Sequence, residues 1–194
     1  MLTFRGRSWG VPIGAAIALL VISCSESKVS QCNRLAEVVN KAQGFMPAFE
    51  SDIQAFSTNA AQVQSLDDIK AAADQYVAAV DSVVGNLDSL VTELGAIELT
   101  DEQLIEYRDG YIGMVEGFSS ALNQASDAMN LVQAVEDDSE LPAKIEESQQ
   151  ETVKAVQLIQ DLSVQEASII NEVNTYCGAD GQPSAPAPDS PEGE

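Results

Sequence analysis

Residues Ser65–Gly95 read SLDDIKAAADQYVAAVDSVVGNLDSLVTELG. Ile69, Ala73, Tyr76, Val80, Val83, Leu87, Leu90 and Leu94 fall alternately four and three residues apart. That spacing puts one apolar stripe on one face of a helix, the seam of a helical bundle. Ser65 with Asp68 three residues on is an acidic capping box, and Gly95 is placed to cap the other end. Three more segments keep the same rhythm. Before it, Cys32, Leu35, Val39, Ala42, Met46, Phe49, Ile53 and Phe56 form a stripe interrupted by Gly44 and Pro47. Pro47 lacks a backbone donor and crowds the preceding turn, so a kink or short break is expected near residues 43–47. The stripe resumes in register, which favours a kink over two helices, and residues 57–64 read as the first loop. After Gly95, Thr100-Asp-Glu-Gln matches a capping box with Thr100 as cap, and Leu104, Tyr111, Val115, Phe118, Leu122, Ala125, Met129 and Val132 follow. The last segment starts near Pro142, carries Ile145, Val156, Ile159, Ile170, Val173 and Cys177 on one face, and stops at Gly178. Short loops make neighbouring helices antiparallel. The expected fold is all-α: an up-down-up-down antiparallel four-helix bundle over residues 24–178.

The N-terminus carries Arg5 and Arg7 and no acid, then an apolar run from Val11 to Ile22 that ends at Val21-Ile-Ser-Cys24. Such a run, about twelve residues long, is too short for a hydrocarbon core that needs roughly twenty. A basic start, a short apolar core and a small residue before a cut describe a secretory signal. Val21-Ile-Ser-Cys24 resembles the lipobox of bacterial lipoproteins. The resemblance implies cleavage after residue 23 and acylation of Cys24 by two or three chains, enough for stable anchoring. The alternative is an ordinary signal peptide with Cys24 as a bystander. Three further segments are similar to parts of an uncharacterised family of cyanobacterial lipoproteins: Cys24-Ser-Glu-Ser-Lys-Val-Ser-Gln-Cys-Asn-Arg-Leu, Ile97-Glu-Leu-Thr-Asp-Glu-Gln-Leu and Asn171-Glu-Val-Asn-Thr-Tyr-Cys. That family implies no activity. The expected location is a bacterial membrane, facing the periplasm or another extracytoplasmic compartment.

With Cys24 acylated, Cys32 and Cys177 remain. A pair of cysteines in an exported chain reads as a disulfide. The bundle puts the start of its first helix beside the end of its last, and both cysteines lie there on inward stripes. Two buried free thiols are the alternative. The tail 179–194 is rich in Pro, Ser and acid, without periodicity, and reads as disordered.

The chain has 9 basic and 31 acidic residues and no His, for a net charge of −22. Removing residues 1–23 takes away two Arg and no acid, leaving 7 against 31, or −24. Such a surface repels nucleic acid. Without His there is no Glu-x-x-His di-iron set, no ordinary haem ligation and no Ser–His or Cys–His dyad. Phosphate-loop and EF-hand spacings are also missing. Neither metal nor cofactor is expected; Glu136-Asp-Asp reads as a solvated loop rather than a cation site.

Two irregularities mark candidate sites. Gly110, Gly113, Gly117 and Ser120 share one face of the third segment, away from its seam. This face reads either as a docking groove for a partner helix or as tolerated flexibility. Ser163 and Glu166 fall on the stripe of the last segment. Counting inward from the two cysteines puts Ser163 level with Met46 and Glu166 level with Gln43, roughly 16 to 21 Å from the disulfide end. Gln43, Ser163 and Glu166 thus form an expected internal polar layer beside the Gly44–Pro47 break, able to satisfy backbone groups freed there. The leading functional expectation is a non-catalytic, lipid-anchored bundle that binds another protein. The alternative is a small-ligand or cation-binding module using that layer.

Overall fold

A computed structural model describes residues 26–178; residues 1–25, with the expected signal and Cys24, and residues 179–194 lie outside them. The described chain is all-helical. The helices are α1 (Lys28–Val39), α2 (Ala42–Ala60), α3 (Leu66–Gly95), α4 (Glu102–Gln133) and α5 (Leu141–Cys177). α1 and α2 together make the first expected segment, and the four segments pack around one core. Leu35, Val80, Leu94, Leu104, Met114 and Val135 are its largest fully enclosed side chains.

The local signals explain most boundaries. Ser65 caps α3 by accepting from the Asp68 N–H at 3.2 Å, and Asp68 reaches back to the Gln64 N–H at 3.1 Å. Gly178 ends α5 at φ 76°, in the left-handed region that glycine enters without strain. Three expectations shift. α4 is capped by Asp101, not Thr100: its Oδ1 accepts from Gln103 N and Leu104 N, both at 3.1 Å. Gly95 is the last residue of α3 and its cap is Ala96. α2 continues to Ala60, so the first loop is shorter than 57–64.

The break falls at Asn40–Lys41, before Gly44, and splits the segment into two helices. Both residues keep right-handed helical angles. Around them the bonds run three residues apart, Lys41 N to Val38 O, Gln43 N to Asn40 O and Gly44 N to Lys41 O, a tightened 3₁₀-type turn. Pro47 lies inside α2. α1 is held among α3, α4 and α5, whereas α2 packs against α3 and has no fully buried residue. Its contacts there are edge-on Phe56–Tyr76, with ring centres 5.1 Å apart, Asn59 to Gln75 at 2.7 Å, and the Lys41–Glu93 ion pair.

α5 buries a face rotated from the expected one: Ile145, Ile159, Val173 and Cys177 are partly covered as expected, but Val156 and Ile170 are not. Val156 is 45% exposed and Ile170 37%. The residues turned inward include Ser148, Ala155, Ile159, Leu162, Glu166, Ile169, Val173 and Tyr176, alternating four and three apart from Ala155 onward. Two contacts fix how this face meets α4: a Cβ on Gly110 would lie 3.8 Å from Ile169 Cδ1, and one on Gly117 only 2.9 Å from Leu162 Cδ2.

Candidate functional site

The helix facing Gly110 and Gly117 is therefore the chain's own α5. The expected external groove is corrected at these two positions, because glycine lets α5 approach α4 closely and Leu162 fills the space. Gly113 has open space around it, and Ser120 is exposed.

Cys32 and Cys177 form the disulfide, with Cα atoms 6.0 Å apart. Around it lies a polar knot that the sequence reading missed. Gln31 is 2% exposed. Its Oε1 accepts from Thr100 N at 2.7 Å and Asp101 N at 3.1 Å, while its Nε2 donates to Thr100 Oγ1 at 3.1 Å. Tyr176 donates its hydroxyl to Asp101 at 3.0 Å, and Lys28 Nζ sits 3.6 Å from the Tyr176 ring centre. The Leu104 N–H, and after it the Tyr176 hydroxyl and the Gln103 N–H, hold the Asp101 carboxyl below its ordinary range. Nothing in the periodicity marks Gln31 as buried, since it lies one position off the Cys32 stripe.

Beyond this knot the α1/α2 segment and α5 part. Two hollows lie along the gap. The first, about 380 Å³, is bounded by Val39, Asn40 and Gln43 on one side and by Glu166, Ile170 and Asn174 on the other. The second, about 280 Å³, runs inward between Phe45, Met46 and Phe49 of α2 and Ile159, Ser163 and Glu166 of α5, over a floor from α3 and α4. Ala42, Tyr111 and Glu166 belong to both hollows. A third, about 360 Å³, continues between Phe56 and Ile145 toward the far end.

Of the expected polar layer, Glu166 is half-buried at the junction of the first two hollows, while Gln43 and Ser163 border them with exposed side chains. None of the three side chains makes a hydrogen bond to the broken backbone. Ser163 Oγ donates to Ile159 O of its own helix at 2.9 Å, and Gln43 Nε2 to Asn40 Oδ1 at 3.5 Å. Glu166 Oε1 accepts from the buried Tyr111 hydroxyl at 3.3 Å. Burial raises the Glu166 carboxyl above its ordinary value, and the Tyr111 hydrogen bond only partly counters this. Burial, then the Glu166 charge, pushes the Tyr111 phenol up, so it remains a donor. Tyr111 read as a core residue in sequence, and only the fold shows it holding Glu166. No Lys or Arg lines either hollow.

The Glu136–Asp138 loop is exposed, with Asp137 accepting from Ser139 N at 2.9 Å. Among the described residues no three His, Cys, Asp or Glu side chains converge as a metal cage would require, and no helix is long and apolar enough to cross a membrane. No family model, curated protein or solved structure matches the chain.

Proposed function

We propose that this protein is a non-catalytic binding module, tethered through acylated Cys24 to the extracytoplasmic face of a bacterial membrane, that takes a small apolar ligand into the seam between α2 and α5. The observation that carries this reading is the seam itself. Hollows of about 380 and 280 Å³ meet there, in or near the size range of small-molecule sites, with mostly apolar walls and few polar groups. The lipobox resemblance supports the tether. The absence of His and the pairing of Cys32 with Cys177 support a role without nucleophilic or acid–base chemistry.

An up-down-up-down course of the four segments is part of the same proposal. Its support is a consistent set of contacts. Arg34 meets the Glu98 carbonyl and Asn59 meets Gln75; Arg108 meets the Ile97 carbonyl and Gln133 meets Asp74; Gly117 meets Leu162 and Asp101 meets Tyr176. In each pair of neighbours, forward along one is backward along the other.

The test is uptake of a neutral solvatochromic dye by the mature lipoprotein in zwitterionic nanodiscs, compared with Ala42→Trp, which plugs the junction of the two hollows. Uptake above that of empty discs, lost in the plugged variant, is expected. Equal uptake by both overturns the reading. A second reading, docking of another protein, is favoured by the exposed aliphatic residues Val153, Val156, Leu158 and Val164 of α5. It predicts a partner whose binding survives Ala42→Trp and is lost on Val153→Glu/Val164→Glu.

A further inference from the structure

Resting on that ligand-binding reading, we infer that the seam selects a cationic amphiphile: a protonated amine head at Glu166, with its apolar body in the hollow beneath Phe45, Met46 and Phe49. Three observations place the head there. Among the described residues Glu166 is the only ionisable carboxyl lining either hollow, and it stands where the two meet. Among the described residues it makes no ion pair, and its one hydrogen bond comes from Tyr111. One acceptor oxygen therefore keeps its capacity for a donor from a ligand. No basic side chain lines the site, so an anionic head has nothing to pair with. The overall charge of −22 further favours a cation at the mouth. Tyr107 and Tyr111 line the same hollow, and aromatic walls suit an ammonium head. Behind Glu166 the wall changes character. Phe45, Met46, Phe49, Leu87, Met114 and Phe118 offer only apolar surface to a ligand tail.

The experiment is calorimetric titration of the mature lipoprotein in phosphatidylcholine nanodiscs with n-hexylamine, 1-hexanol and hexanoate at neutral pH, with empty discs subtracted. Hexylammonium should bind about tenfold more tightly than hexanol, since a charge-assisted hydrogen bond is roughly twice as strong as a neutral one. Hexanoate should bind more weakly than hexanol. Glu166→Gln should abolish the preference for the amine over the alcohol, while Glu116→Gln, an exposed carboxylate outside the seam, should leave the preference unchanged. Equal binding of amine and alcohol, retention of the preference in Glu166→Gln, or its equal loss in Glu116→Gln would overturn the inference while leaving the seam as a ligand site. Binding of none of the three probes would overturn both.

Discussion

Gly113 and Gly117 lie one helical turn apart on α4, yet alanine should act on them in opposite directions. At an exposed helix position alanine is favoured over glycine by about 0.8 to 1 kcal/mol. A Cβ on Gly113 meets nothing within 4 Å, so Gly113→Ala should gain that amount in full. On Gly117 the same Cβ would lie 2.9 Å from Leu162 Cδ2 and 3.2 Å from Cδ1. Leu162 is buried against α4 and must shift, and overpacking costs about 1 to 3 kcal/mol. The clash is with the methyl ends of one side chain, so the lower part of that range applies. Gly117→Ala should therefore lie between neutral and about 1 kcal/mol destabilising, leaving the two variants about 1 to 2 kcal/mol apart. Urea denaturation of the oxidised protein, followed by circular dichroism, measures this directly, provided the slope with denaturant is unchanged. Equal stabilisation by both substitutions would refute the close approach of α4 and α5, and with it the placement of Leu162. Trimming Leu162 to Val in the Gly117→Ala background should recover part of the helix-propensity gain.

Three other outcomes follow from the same geometry. The disulfide closes a loop of 145 residues, for which loss of chain entropy in the unfolded state suggests about 5 kcal/mol. Reduction should lower the denaturation midpoint markedly, and two titratable thiols in unreduced, unfolded protein would remove the bridge. Because burial raises the Glu166 carboxyl above 4.5, its contribution to stability is complete below that pH and is lost as pH climbs through the raised value. Glu166→Gln should therefore become more stable relative to wild type as pH rises from about 4.5 toward neutrality; a difference that does not vary with pH would count against burial of this carboxyl. In hydrogen exchange, residues 40–49 should open faster than α1, α3 and α4, while residues 161–167, packed on α4, should not; matched protection along α1 and α2 would contradict the break.

α3 was legible because each stripe position carries an apolar side chain, nearly all of them bulky, and a single register fits them. α5 was not, because it offers two registers. Val156 and Ile170 suggested one, but the helix turns Ala155, Leu162 and Ile169 inward instead, while Ile159, Glu166, Val173 and Cys177 stay on the covered side as expected. The inward face mixes small side chains, Ser148 and Ala155, with large ones, Leu162 and Ile169, and a reading weighted toward large aliphatics passes over the small ones. The glycines themselves signalled close approach correctly, but one helix's sequence cannot say which backbone approaches. The break was placed late for a related reason. Pro47 is the conspicuous residue, yet the tightened bonds begin at Lys41, where α1 leaves the disulfide knot. The knot joins Gln31 to Thr100 and Asp101, far apart in sequence, and no local pattern marks such a pairing.

Glu166 also accounts for why the seam stays open. If α2 swung onto α5, Met46 and Ile170, each 37% exposed, would lose contact with water. Each fully buried side chain of this kind contributes roughly 1.5 to 3 kcal/mol, so completing the burial of two partly covered ones is worth only a fraction of that sum. Closure would also strip water from the free oxygen of Glu166, which has Tyr111 but no basic partner. An unpaired carboxylate taken out of water costs several kcal/mol or must take up a proton. The two effects have opposite signs. A single carboxylate in an apolar stripe therefore opposes closing of the seam, and a ligand that pairs with it while covering the aliphatics satisfies both demands at once.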